Sequence, residues 1–194
     1  MNILIINSAE PDERSFVDPI QAALSNTKAH TQIREYTEVP DTCDVNAFDA
    51  VIISASPKGD DIVGDHMSHF QWLLTYQKPV LGICAGHQTI GTLFGGDLIR
   101  GKEAEEGDTS VQITKRDPIF EGLEDEFPVE QHHNDSITLP KDFELLATSP
   151  VCGVQAIRHK EHPLYSVQWH AEISNPELIQ NFVNRVVKET SGTD

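Results

Sequence analysis

The chain has 194 residues, enough for one domain with a sizeable core. Its 31 Asp and Glu outweigh 14 Lys and Arg, a formal charge of −17 that argues against a nucleic-acid backbone or an anionic membrane as partner. Three cysteines, Cys43, Cys84 and Cys152, have no Cys-x-x-Cys spacing, which favours a reducing compartment over a disulfide framework.

Taken in order, Ile3 to Ile6 is an apolar run ended by Asn7-Ser8, the expected first strand of a parallel α/β sheet. The segment before it is too short for a secretory signal and has no basic leader, and no stretch approaches a membrane span. A cytoplasmic protein is expected. Phe16 to Leu24 reads as a helix, Thr31 to Tyr36 and Asp49 to Ser54 as strands, and Met67 to Tyr76 as a helix. Val80 to Ile83 is another short apolar strand that stops at Cys84, and a helical pattern opens with Ala85, His87, Gln88, Ile90 and Leu93. This alternation predicts an α/β fold, an open, mostly parallel doubly wound sheet with helices on both faces. Ligands in such folds sit beyond the carboxyl ends of the strands, where Cys84 falls.

After Gly96 the pattern changes to short β-like pieces at 110–114, 127–130, 136–139, 143–147, 154–158 and 164–169. Turn signals at Gly107-Asp108, Asp117-Pro118 and Leu139-Pro140 divide them, which predicts a small antiparallel elaboration. Pro176 opens an amphipathic closing helix through Leu178, Ile179, Phe182, Val183, Val186 and Val187, and Ser191 to Asp194 reads as a frayed tail. Without repeat or linker, residues 1–194 form one expected domain.

Gly82-Ile83-Cys84-Ala85-Gly86 between strand and helix is the thiol version of a nucleophile elbow. The flanking glycines are expected to let the backbone fold tightly and a substrate approach. Unpaired N–H groups at the helix start favour an anionic sulfur, and the N–H of Ala85 could stabilise an oxyanion. A nucleophile needs a base and the base an orienter. Gln168-Trp169-His170-Ala171-Glu172 follows a predicted strand, so alternation would project His170 and Glu172 to one side of its end.

With these two motifs, Gly82-Ile83-Cys84-Ala85-Gly86-His87-Gln88 and Val167-Gln168-Trp169-His170-Ala171-Glu172, the chain resembles the class I (triad-type) glutamine amidotransferases over nearly its whole length. Phe94-Gly95-Gly96, His133-Asn134-Asp135 and Cys152 to Ala156 make it look most like the glutaminase part of GMP synthases. The resemblance implies a glutaminase with Cys84 as nucleophile, His170 as base and Glu172 as orienter, splitting glutamine to glutamate and ammonia through a thioester. It implies oxyanion donors at the backbone N–H of Ser56 and Ala85, and substrate contacts from Gln88, His132, Asn134 and Asp135. It implies no cofactor. No synthetase module is read in the chain, so the expected partner is a separate synthetase subunit that accepts the ammonia.

Two positions depart from the family pattern. Ser54-Ala55-Ser56-Pro57 stands where the family has Gly-Gly-Pro, and a side chain at Ser56 makes positive φ costly, so its N–H is expected to be misaimed. Low activity of the chain alone follows. Ala171 replaces a proline that would pre-set the backbone between base and orienter. A standalone γ-glutamyl hydrolase and a catalytically weakened regulatory module are the competing functions. No metal site is expected: Asp65, His66 and His69 read as a solvated helical face, and His159 and His162 as surface.

Overall fold

The computed structural model describes residues 1–57, 64 and 66–192. Among them, nine strands form one sheet in the order β2-β1-β3-β4-β9-β8-β7-β5-β6. The parallel half comprises β1 (Asn2–Asn7), β2 (His30–Glu35), β3 (Ala50–Ile53), β4 (Val80–Ile83) and β9 (Leu164–Val167). These strands read as apolar runs because both of their faces are covered. In β1, Ile3 and Ile5 enter one core layer, whereas Leu4 and Ile6 enter the other. The first layer is closed by helix α1 (Asp18–Ala23) and by the C-terminal helices, the second by the 3-10 helix Met67–Leu74 and by α2 (Ala85–Leu93). The expected double winding is therefore present, with the 67–76 segment wound as a 3-10 helix.

The antiparallel strands extend the same sheet. They are β5 (Leu98–Ile113), β6 (Glu126–Ile137), β7 (Phe143–Thr148) and β8 (Ala156–His159), and β8 joins the parallel half through β9. Here the sequence reading needs correction. The pieces at 127–130 and 136–139 are one strand, and 110–114 is only the end of β5. Gly107 does not turn the chain; it lies within β5 opposite Gln131, at φ +80°. Exposure alternates along most of β6, but between Val129 and Ile137 its buried positions are polar, Gln131, His133, Asp135 and Ser136, so no apolar alternation marks that stretch.

The C-terminal segment is continuous: α4 (Pro176–Asn181) runs into a π-helical stretch, Phe182–Val187, and then α5 (Lys188–Ser191), after the one-turn α3 (Ala171–Ser174). Gly192 at φ +61° caps it, and residues 193 and 194 of the expected frayed tail lie outside the described residues. His66, expected on a solvated face, is fully buried with its ring 4.1 Å from that of Tyr36; Asp65 lies outside the described residues. His159 is also buried, packed edge-on against Phe143, and its Nδ1 accepts from the N–H groups of Glu161 and His162. No helix among the described residues is long and apolar enough to cross a membrane.

Candidate active site

Strands β4 and β9 are parallel neighbours, with Ile83 opposite Val167, so both chains leave the sheet at the same edge. Cys84 follows Ile83 directly and His170 comes three residues after Val167. Cys84 adopts φ 49°, ψ −100°, a conformation that costs a non-glycine residue about 1–3 kcal/mol. Hydrogen bonds clamp it on both sides: its N–H donates to the Val167 carbonyl at 2.9 Å, and its own carbonyl accepts from Gln88 N–H at 3.0 Å. The bracketing glycines serve this elbow by admitting its own helix. A Cβ on Gly82 would stand 2.6 Å from Ile90 Cδ1 and 2.8 Å from the Gly86 carbonyl, and one on Gly86 would stand 2.8 Å from the Ile53 carbonyl oxygen. The structural demand is thus α2 packing on β3 and β4.

Behind the sulfur, His170 Nδ1 and Glu172 Oε1 are 2.8 Å apart, and both side chains are buried. The expected reason for this contact is corrected. The strand has ended at Val167; His170 is the N-cap of α3 and Glu172 lies in its first turn. Ala171, where a proline would have no donor, gives its N–H to the Trp169 carbonyl at 3.0 Å. With Nδ1 committed to Glu172, Nε2 is the ring nitrogen left to serve Cys84. Burial alone would push the imidazolium down; hydrogen bonding and attraction from Cys84 and Glu172 outweigh it and raise the pKa to about 11.

A cavity of about 550 Å³ opens over this pair, within the range of small-molecule sites. Gln88, Ser56, His132, Asn134 and Asp135 all line it with Cys84 and His170. Ala85 is buried as the first residue of α2, so its N–H is among those a helix leaves without an internal partner. Ser56 does not adopt positive φ; among the described non-glycine residues only Asp12 and Cys84 do. His132 and Asn134 project outward from β6, while Asp135 is buried, its carboxylate receiving Gly101 N–H at 3.1 Å. The Asp135 carbonyl accepts from Gln88 Nε2 at 2.8 Å and faces His133 Nδ1 at 3.1 Å.

Three residues beside Cys84, His170 or His133 escaped the sequence reading. Gln168 directs Nε2 at the Cys84 sulfur, 3.7 Å away, and its place in the second motif was a usable signal. Phe16, read as the start of a helix, precedes α1 and sets its ring 6.1 Å from that of His170; nothing in the sequence marks it as a site residue. Glu105 is buried opposite His133 across the β5–β6 ribbon. Burial lowers the His133 pKa, and the nearby Glu105 carboxylate opposes that shift.

The elbow, the histidine at the adjacent strand end and the winding of the sheet define a protein of the class I glutamine amidotransferase family, to which this chain belongs: the family's sequence model matches residues 12–188. Among curated relatives, it is similar to a glutamine-hydrolyzing GMP synthase subunit of Thermoplasma acidophilum, 34% identical over 149 residues, covering 74% of each chain. The corresponding subunit of Pyrococcus abyssi is 39% identical over 112 residues, covering 55% of this chain and 60% of the relative. Among solved structures, a GMP synthase subunit of Thermoplasma acidophilum superimposes with a TM-score of 0.87 at 27% identity, covering 99% of this chain and 96% of the other. A glutamine amidotransferase of Thermotoga maritima shares the fold at a TM-score of 0.73 and 18% identity, covering 100% and 86% of the two chains.

Proposed function

We propose that the chain is a glutaminase that releases ammonia from the side-chain amide of glutamine and passes it to a separate, GMP-forming synthetase subunit. The observation that carries this reading is that Cys84 and His170 line one cavity of about 550 Å³, with Glu172 2.8 Å behind the imidazole. His170 Nε2 takes the thiol proton of Cys84 as attack begins, and the raised pKa of the ring favours the imidazolium so formed.

Cys84 Sγ adds to the amide carbon, and the carbonyl electrons move to oxygen. The N–H of Ala85 donates to that oxyanion, with Ser56 N–H as the second donor once it is aimed. The C–N bond breaks as His170 Nε2 gives its proton to nitrogen, and ammonia leaves a thioester. Water then adds to the thioester and yields its proton to His170. The C–S bond breaks, glutamate departs, and His170 returns its proton to the sulfur. Gln88, oriented by the Asp135 carbonyl, holds the substrate beside the sulfur, and the rim at His132 and Asn134 takes its amino-acid end. Synthetase partnership is supported by relatives named as one subunit of a GMP synthase.

A chloroketone analogue of glutamine tests the reading. Stoichiometric labelling of Cys84, lost in Cys84→Ala and blocked by glutamine, is the expected result. Labelling that persists in Cys84→Ala would overturn it. Turnover of γ-glutamyl amines without turnover of glutamine would move the chain to the hydrolase reading.

A further inference from the structure

Beside the amide-cleaving pair, three side chains from separate segments converge: Glu105 on β5, His133 on β6 and Cys152 in the turn between β7 and β8. All three are buried, and their potential ligand atoms lie within 4.8 Å of one another. The tautomer of His133 decides what this cluster can hold. Its Nδ1 faces the backbone carbonyl of Asp135 at 3.1 Å, and a carbonyl only accepts, so Nδ1 carries the proton. In the neutral ring, Nε2 is then a lone pair. That lone pair lies 3.4 Å from Glu105 Oε2 and is buried without a hydrogen-bond partner. Two electron-rich atoms face each other, with the Cys152 sulfur beside them. A positive charge between them, a second ring proton or a metal ion, would stabilise such an arrangement.

We propose that Glu105, His133 and Cys152 form a binding site for a borderline-soft divalent cation of the Zn²⁺ type. Thiolate and imidazole together disfavour Mg²⁺ and Ca²⁺, which take oxygen shells. A ring nitrogen facing metal, with the other N–H on a backbone carbonyl, is the usual setting of a ligating histidine. The carboxylate is oriented as ligating carboxylates are: Glu105 Oε2 accepts from Gln155 Nε2 at 2.6 Å, Ser149 Oγ at 2.9 Å and Gln131 Nε2 at 3.3 Å. Zinc bonds of about 2.0–2.3 Å place tetrahedral ligand atoms about 3.3–3.8 Å apart, so the cluster closes on the ion by movements of about an ångström. Cys152 donates its S–H toward the Val154 carbonyl at 3.6 Å, and binding releases that proton to solvent as the sulfur–metal bond forms. The fourth position falls to water from the cavity that Glu105 and His133 line. The ion pins both strands of the β5–β6 ribbon to the β7–β8 turn.

The test uses the whole chain, stripped by chelator and kept reduced. Titration with Co²⁺ is expected to saturate at one equivalent, with a sulfur-to-cobalt charge-transfer absorption that Zn²⁺ abolishes by displacement. Cys152→Ser removes the absorption, whereas Cys84→Ser and Cys43→Ser retain it. Glu105→Gln, which keeps an acceptor for its three donors, weakens binding by about tenfold or more. Zn²⁺ raises the Tm of the native chain, and much less that of Glu105→Gln, so the decision does not depend on Cys152→Ser folding. Absence of uptake and of a Tm shift would leave the His133 ring doubly protonated and overturn the site. An absorption that survives Cys152→Ser and vanishes in Cys84→Ser would overturn it too, by placing the metal on the other thiol.

Discussion

Two neighbours, Cys84 and Glu172, raise the His170 pKa against the effect of its burial, and each can be replaced without disturbing the backbone. Glu172→Gln keeps the volume and one acceptor but deletes a negative charge from a carboxyl buried against Nδ1. The expected outcome is a His170 pKa well below its present value of about 11, followed by NMR titration of the ring. Since the orienter acts on the reacting state, kcat should fall by about 10²–10⁴ with little change in KM. A kcat within a few-fold of the native value would remove Glu172 from the site. Ser56 tests the other side of the cavity. Its φ is not positive, as its side chain dictates, and that leaves the second oxyanion donor dependent on reorientation. The isolated chain should therefore hydrolyse glutamine slowly. Ser56→Gly should recover up to the 10²–10³ in rate that one such donor contributes, in steady-state ammonia release without any partner. If the native chain alone already matches Ser56→Gly, the donor is in place and the departure at Ser56 is silent.

Elements differ in how plainly their sequences announce them, and the reason is what each one faces. Strands β1, β3 and β4 are covered on both faces, so Ile3–Ile6 and Val80–Ile83 stand out as apolar runs and the parallel half is legible. The elbow is legible too, because Gly82, Cys84 and Gly86 fall within five consecutive residues and their spacing follows from local packing. Glu105 to Asp108 and Gln131 to Asp135 face solvent or a polar interior, so the long ribbon they form carries no apolar alternation. Local pattern also gave the wrong cause for the His170–Glu172 contact, which depends on a one-turn helix too short to announce itself. The cluster at Glu105, His133 and Cys152 depends on pairing across 47 residues and could not be read locally. The glycine brackets permit a quantitative check on the elbow element. Gly82→Ala drives a methyl against the Gly86 backbone, which cannot step aside, and should destabilise the fold by about 1–3 kcal/mol in urea unfolding. Gly153→Ala meets nothing within 4 Å and should stay within about 0.5 kcal/mol of native. Equal stability of the two variants would mean that α2 does not depend on close approach to β4.

At the scale of the whole molecule, acid brings two opposing effects. The formal charge of −17 implies self-repulsion that eases as carboxylates protonate, so falling pH should first relieve the fold. His87 pulls the other way. It lies fully buried on α2, one turn beyond the elbow, with Nε2 donating to the Val154 carbonyl at 3.2 Å and Nδ1 accepting from Ser166 Oγ at 2.8 Å. Desolvation pushes its pKa down to about 3, outweighing hydrogen bonds to Val154 and Ser166 that favour the charged ring. The sign follows from linkage. An unfolded chain takes up this proton near pH 6.5 and the native one only near 3. The stability His87 lends is thus complete above pH 6.5 and lost as pH falls toward 3. Each pH unit in that window costs about 1.4 kcal/mol, on the order of 2 kcal/mol between pH 7 and pH 5. His87→Gln should be less stable than the native chain at pH 7, because Gln fills the site poorly. Its urea-unfolding free energy should nevertheless fall less steeply between pH 6.5 and pH 4, and the two curves should converge. Parallel curves would show that the buried ring stays uncoupled from acid unfolding. Convergence would assign the acid limit of this acidic protein to one neutral imidazole wedged between the elbow helix and β9.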